Sequence, residues 1–536
     1  MRVRVAGGAV GAVAAALLGV VVLAAGSGPV AAARGSVGVS ISVPGAPTSV
    51  SWVGRNAEVV VSWSAPVSDG GSAVSSYTVT ASPGGQSCSW SSGPSSCTVT
   101  GLTNGTAYTF AVTATNTQGT GPPSSPSAPV TPRAQDAALT PTAPVSAASI
   151  PCDGPNPAGL VPSQVGDRYD LSPLWEAQHT GQGVRVALIE VGTSIDASVL
   201  TRYQECVHTG PVPFFAHQVG LGPLPPPGGE SMSDAEMIAG LAPGIDRLDE
   251  FFSPGPESMA TLLQAALDPN NTGGQRADIV SISFNECEST FAFPAETEAV
   301  LAQAAAEGVW VFKGAGDSGS SACAGHGSGC GGDMEPAVDF LAASPYVVAT
   351  GGIMVTSGDP VTDLGVTWNS GMPKCGATGG GVSTLFGAPS WQQQVPGGLT
   401  NAHRMVPDVA SIAGDPGYQL LTPNGATYQW APTEGDSMTG PFYAAGMAAL
   451  RSDLVADGIT PPTLLTPALY AIANNPVLYP KVFRDVLEGN NDLYGVGCCT
   501  AGPGYDLTTG LGQVDFANLA SALAPAAVTV TPKFTG

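Results

Sequence analysis

Two hydrophobic rhythms divide the chain. Between residues 43 and 132, apolar and polar positions alternate in short runs: Glu58 to Trp63 (EVVVSW), Tyr77 to Ala81, and Tyr108 to Thr115 (YTFAVTAT). β-Branched and aromatic residues at every second position predict half-buried strands. Asp69-Gly70-Gly71, Pro83-Gly84-Gly85 and Asn104-Gly105 punctuate the runs as turns. The pattern predicts a β-sandwich. Residues 133–150 are rich in Ala, Pro, Thr and Ser without a period and read as a linker.

From residue 151 to 525 the rhythm changes to apolar runs separated by helical stretches. Val184 to Val191 (VRVALIEV), Ala277 to Phe284 (ADIVSISF), Val309 to Lys313 (VWVFK) and Tyr346 to Thr350 read as buried strands. Glu257 to Leu267, Ala295 to Glu307 and Ser437 to Leu454 read as helices. Such alternation predicts an α/β domain with a parallel sheet covered by helices on both faces. Active sites in these sheets lie beyond the carboxyl ends of the strands, which is where the candidate residues fall.

The ends of the chain fit export. Arg2 and Arg4, an apolar run from Val5 to Ala25 and Ala31-Ala32-Ala33 make residues 1–33 a signal peptide by pattern. Residues 526–536 form a tail without a hydrophobic anchor. Secretion, with no membrane attachment after cleavage, is the expectation. Ten cysteines in an exported chain predict disulfides. Cys88 and Cys97 are expected to close one loop, Cys323 and Cys330 another, and the adjacent Cys498 and Cys499 to bond elsewhere. The net charge of −24, with 17 Lys and Arg against 41 Asp and Glu, argues against nucleic-acid partners and against anionic lipid.

Chemistry gathers at a few carboxylates and one serine. Ser437, within Gly435-Asp436-Ser437-Met438-Thr439-Gly440-Pro441, stands at a Gly-rich helix start, where free N–H groups suit a developing oxyanion. The same serine would serve equally as an ordinary helix cap. A serine nucleophile needs a base, and none of the five histidines lies in a segment suited to a triad. Glu230 and Asp234 share one helix face at four-residue spacing. A close carboxyl pair raises one member's pKa and would accept the serine proton in mild acid; an exposed acidic first turn is the plainer explanation. Asp317, in Gly316-Asp317-Ser318-Gly319, would donate a hydrogen bond to an oxyanion if kept neutral. Asp485 and Asp506 flank a Gly-rich loop whose carboxylates and carbonyls suit calcium.

Gly101 to Ser124 (GLTNGTAYTFAVTATNTQGTGPPS) resembles a fibronectin type III domain, with Leu102 and Tyr108 at its tyrosine corner and Trp63 as its core tryptophan. Such domains serve as spacers or as contacts to polysaccharide or cell surfaces. The second domain resembles the sedolisins, serine-carboxyl peptidases of subtilisin-like fold, from its opening Pro162 to Gly192 onward. Glu230 and Asp234 match the family's ExxxD motif, base and acidic partner. Asp317 matches the oxyanion-hole carboxyl, Arg404 to Ala410 (RMVPDVA) its VPDV segment, and Ser437 with Pro441 its GTSxxxP motif. Asp485, Val486, Gly502, Gly504 and Asp506 match its loop for one structural calcium ion, with Val486, Gly502 and Gly504 binding through carbonyls.

The resemblance implies an acid-acting endopeptidase on protein or peptide substrates, expected as a monomer. Two departures stand out. Asp436 replaces the Thr usual before the nucleophile; a carboxylate there would hinder the oxyanion or sharpen its pH dependence. The family's long pro-domain is replaced by the fibronectin-like stretch. These departures support one alternative, an inactive peptidase-fold protein acting as an extracellular binding or adhesion module.

Overall fold

The computed structural model describes residues 41–524, apart from residues 56, 92–95, 128, 131, 133–151, 153–158, 221–222, 254–257, 273, 292–293, 326–330, 333, 357, 372–373 and 425–426. The signal, linker and tail read from the sequence therefore lie outside the described residues.

The first unit is a pair of antiparallel sheets. Thr48–Arg55, Glu58–Ser64 and Ser96–Thr100 form one. Ser87–Trp90, Ser76–Ser82, Thr109–Asn116 and Gly119–Thr120 form the other. Their inward residues, among them Val59, Val61, Trp63, Val79, Phe110 and Val112, make one core. The Cys88–Cys97 disulfide ties the two sheets. Tyr108 accepts the Thr103 N–H at 3.0 Å on its phenol oxygen, which pins the corner.

The second unit is built on an eight-stranded sheet. Its path runs Val366–Thr367, Val347–Met354, Trp310–Gly314, Ile279–Ile282, Arg185–Val191, Arg247–Ser253, Phe214–Gln218, and Val409–Ile412 also pairs with Val347–Met354. All pairings are parallel except that of Val366–Thr367. Successive side chains of a strand point to opposite faces. Val186 and Leu188 accordingly pack in one apolar cluster, Ala187 and Ile189 in another. The first cluster takes the helices Gly229–Leu241 and Thr439–Ala456, the second takes Met259–Leu267 and Pro294–Ala306.

The cysteines correct two expectations. Cys323 bonds to Cys287, not to Cys330, which lies outside the described residues. The strands Ile279–Ile282 and Trp310–Gly314 are parallel neighbours, so the loops leaving their carboxyl ends meet. Sheet adjacency thus outweighs closeness in sequence. Cys498 and Cys499 bond to each other rather than elsewhere, in a turn that Asn491 holds through both N–H and side-chain contacts with Cys499. Cys152 bonds to Cys206.

Candidate active site

Ser437 is not the first residue of its helix. It sits in a 3-10 turn, Asp436–Met438, which leads into the helix Thr439–Ala456. That helix has Met438 as its N-cap and no side-chain cap, so Ser437 is not spent on capping. The turn is locked from behind: Thr439 Oγ1 donates to the Asp436 carbonyl at 2.7 Å and contacts Thr350 Oγ1 at 2.6 Å. Gly314 ends its strand against the same peptide. A Cβ there would lie 2.3 Å from the Asp436 oxygen, so only glycine lets strand end and turn approach.

The Ser437 hydroxyl is hydrogen-bonded to the Glu230 side chain. Glu230 stands in the first turn of the helix Gly229–Leu241 and is open to solvent, whereas Asp234, one turn on, is fully buried. The structure thus brings the pair to the serine rather than leaving it as an exposed acidic turn. Ser283 Oγ, just past the strand Ile279–Ile282, donates to Asp234 Oδ2 and reaches the Ser437 carbonyl at 3.3 Å. The sequence reading missed Ser283, whose only signal was its place at a strand's carboxyl end.

It also missed Glu190, at the end of the strand Arg185–Val191. The Glu190 and Asp234 side chains lie within hydrogen-bonding reach of each other, and Glu190 Oε1 and Asp234 Oδ1 are buried with no donor. Two carboxyls meet this way only if a proton lies between them. Burial, reinforced by the charge of Glu230 and, for Glu190, by that of Asp234, holds both well above the ordinary carboxyl range. Crowding by protein, then the charge of Asp317, pushes Glu230 up from 4.5 to about 7, against the opposing pull of Lys313 and Ser437.

Asp317 faces the serine from the other side. A Cβ placed on Gly435 would stand 3.1 Å from Ser437 Oγ and 3.5 Å from Asp317 Oδ2. Gly435, with φ +133°, thereby leaves the space between hydroxyl and carboxyl clear for a reacting group. The Asp436 N–H donates to Asp317 Oδ1 at 2.6 Å, which fixes that oxygen as an acceptor, and Oδ2 is the nearer of the two to the space at Gly435.

Asp436, the departure read from the sequence, is turned into the core. Its carboxyl points away from the serine, fully buried, with Oδ2 accepting from Thr378 Oγ1 at 2.9 Å and the Gly379 N–H at 3.0 Å. Burial, then the charge of Asp317, holds it well above its ordinary value. Its side chain is thus a core group, and its backbone N–H supports Asp317.

Of the calcium residues, Asp485 and Asp506 are brought together across the loop. Asp485 Oδ1 is buried without a partner, while Oδ2 accepts the Gly504 N–H at 2.7 Å. Asp506 accepts from Gly502, Thr508 and Thr509 N–H groups. The donor set is hard oxygen throughout, with one oxygen awaiting a partner, and it fits calcium. Among the described residues no three His, Cys, Asp or Glu side chains converge, so such an ion would depend on backbone carbonyls such as those of Val486, Gly502 and Gly504.

The fibronectin type III domain profile matches residues 45–130. Kumamolisin of Bacillus sp. (strain MN-32) is 34% identical over 399 residues, covering 70% of this chain and 66% of that protein. Sedolisin of Pseudomonas sp. (strain 101) is 30% identical over 304 residues, covering 55% and 49%. The chain thus spans less than two thirds of the length of these curated relatives. The solved structure of Pseudomonas sedolisin, a serine-carboxyl proteinase complexed with two molecules of pseudo-iodotyrostatin, superposes with a TM-score of 0.56 at 24% identity, over 68% of this chain and 97% of that one, which establishes a common fold.

Proposed function

Since the chain belongs to the sedolisin family of serine-carboxyl peptidases, we propose that it hydrolyses peptide bonds in acid through Ser437, Glu230, Asp234 and Asp317. The Ser437–Glu230 hydrogen bond, with Asp317 across the cleft, carries this reading. Glu230 as carboxylate takes the hydroxyl proton while Ser437 Oγ attacks the peptide carbon. The carbonyl oxygen becomes an oxyanion and receives a hydrogen bond from protonated Asp317. Glu230 then delivers its proton to the departing amine, leaving an acyl-enzyme. Water, deprotonated by Glu230, releases the acid product and restores the serine. Asp234 and Glu190, sharing a proton behind Glu230, orient it and spread its charge.

The working state has Glu230 ionised and Asp317 protonated. Each charge opposes the other, so the pair loses its protons in two steps, and the working state lies between them. Asp317's charge is part of what lifts Glu230 to about 7, so that figure marks the second step, where both are ionised. The folded state favours acid for the same reason. Glu190, Asp234, Glu236 and Asp436 are raised by burial, and Glu250 is pushed up to about 8. A carboxyl raised on folding stabilises the fold below its unfolded pKa, and that stability is lost as pH rises toward the folded value.

The test is hydrolysis of denatured casein from about pH 3 to about pH 8, using folded protein. We expect a bell whose alkaline limb lies at or below pH 7. An optimum above neutrality would defeat the mechanism, and no turnover at any pH from folded protein would favour an extracellular binding module instead.

The disulfides fit an oxidising, extracellular compartment, and the sandwich serves as a spacer or surface contact in this reading. Asp485, Asp506 and the loop carbonyls would hold a structural calcium. Its chelation is expected to lower Tm, since an ion at about a hundredfold its Kd contributes about 2.7 kcal/mol. A melting curve indifferent to chelator and to added calcium would remove the site.

A further inference from the structure

A buried cation lies beneath this site. Lys313, in the strand Trp310–Gly314, is 1% exposed. Its ammonium donates to Asn285 Oδ1 at 2.9 Å and to the Gly314 carbonyl at 2.6 Å, and lies 3.8 Å from Asp339 Oδ2. An ammonium in a protein interior is costly unless charge of opposite sign surrounds it. Arg404, also buried, is matched by a single carboxylate, Asp408. Lys313 instead faces carboxyls from several elements. Asp339 caps the short helix Phe340–Ala343 and also accepts the Glu286 N–H. The Lys313 charge also acts on Glu230 and Asp234 of the helix Gly229–Leu241 and on Asp436 of the serine turn.

We propose that Lys313 is a positioning residue for the proposed hydrolysis, a fixed positive charge that keeps the Glu230–Asp234 pair able to ionise in acid. The proposal rests on the serine-carboxyl reading. Its geometric basis is the placement of the ammonium, held by Asn285 and Gly314, one residue from the peptide that backs Ser437. Its charge opposes the burial and repulsion that raise Glu230, Asp234 and Asp436. Without it the first ionisation of the site would need a higher pH, and the acid limb of activity would follow.

K313M removes the charge while keeping most of the volume. We expect the acid limb of kcat/KM to move up by at least about half a pH unit, with K313R restoring it toward the native position. Loss of packing alone would lower the rate without moving the limb. K313M/N285A, which removes the acceptor left unpartnered, serves if K313M does not fold. The second readout needs no turnover: titration of 13C-carboxyl-labelled Glu230, assigned by its loss in E230Q. A Glu230 titration unmoved by removal of the Lys313 charge overturns the proposal whatever the activity. A titration moved upward in a protein that cleaves nothing leaves the charge effect standing and defeats the peptidase reading instead.

Discussion

Ser437→Ala is expected to abolish casein hydrolysis, with a fall in kcat of about 10⁶-fold, the loss seen when a serine peptidase loses a member of its catalytic unit. In the proposed mechanism the hydroxyl is the atom that forms the acyl bond. It is hydrogen-bonded to Glu230, it does not cap the helix, and Gly435 keeps its approach clear. Glu230→Gln keeps the shape but cannot take the proton, so its loss should come within about tenfold of the serine variant. The double variant should be no worse than either single one, because the two groups act in one step. The fold should survive both changes, since Ser437 is half-buried and Glu230 open to solvent. Peptide cleavage retained by Ser437→Ala at acid pH would eliminate the acyl-enzyme mechanism. Additive losses in the double variant would show that serine and carboxylate do not work together.

The sheet was legible because its strands are buried on both faces and read as apolar runs. Val184 to Val191 and Val309 to Lys313 are each observed within one residue of the ends read from the sequence. Ala277 to Phe284 was read too long, since only Ile279–Ile282 pairs as a strand. The run continues into Ser283, which has left the ladder to hold Asp234. The carboxylates were found as motifs, but their partners were not. Glu190 looked like one polar interruption in a strand, and its role depends on a residue 44 positions away that only the fold brings near. Lys313 closed an apolar strand and carried no motif. Asp436 shows a related limit: sequence places it beside the nucleophile, while the turn directs its side chain into the core. The disulfide of Cys287 with Cys323 likewise follows from adjacent strands, which spacing alone does not reveal.

Asp317 offers the sharpest test of how the oxyanion is held. Asp317→Ala removes the donor, and the loss of one such group is expected to lower kcat by about 10²–10³-fold, or about 2.7–4 kcal/mol. Asp317→Asn should retain much more, because its orientation is dictated. The Asp436 N–H donates to Oδ1 at 2.6 Å, so an amide must place its oxygen there and turn its NH2 to the Oδ2 position, the nearer of the two to the space at Gly435. The variant would therefore keep a donor in place, and one that never ionises. In the native protein activity is expected to be lost at high pH, once both carboxyls of the pair are charged, near the value of about 7 to which burial and then the charge of Asp317 push Glu230. With Asn that second step is gone. The alkaline limb should disappear up to the limit of protein stability. The acid limb should stay, because it reports Glu230 ionising beside a neutral neighbour in both proteins. A kcat/KM profile for Asp317→Asn that keeps the native alkaline limb would mean that some other group sets it, and that Asp317 does not act as the neutral donor.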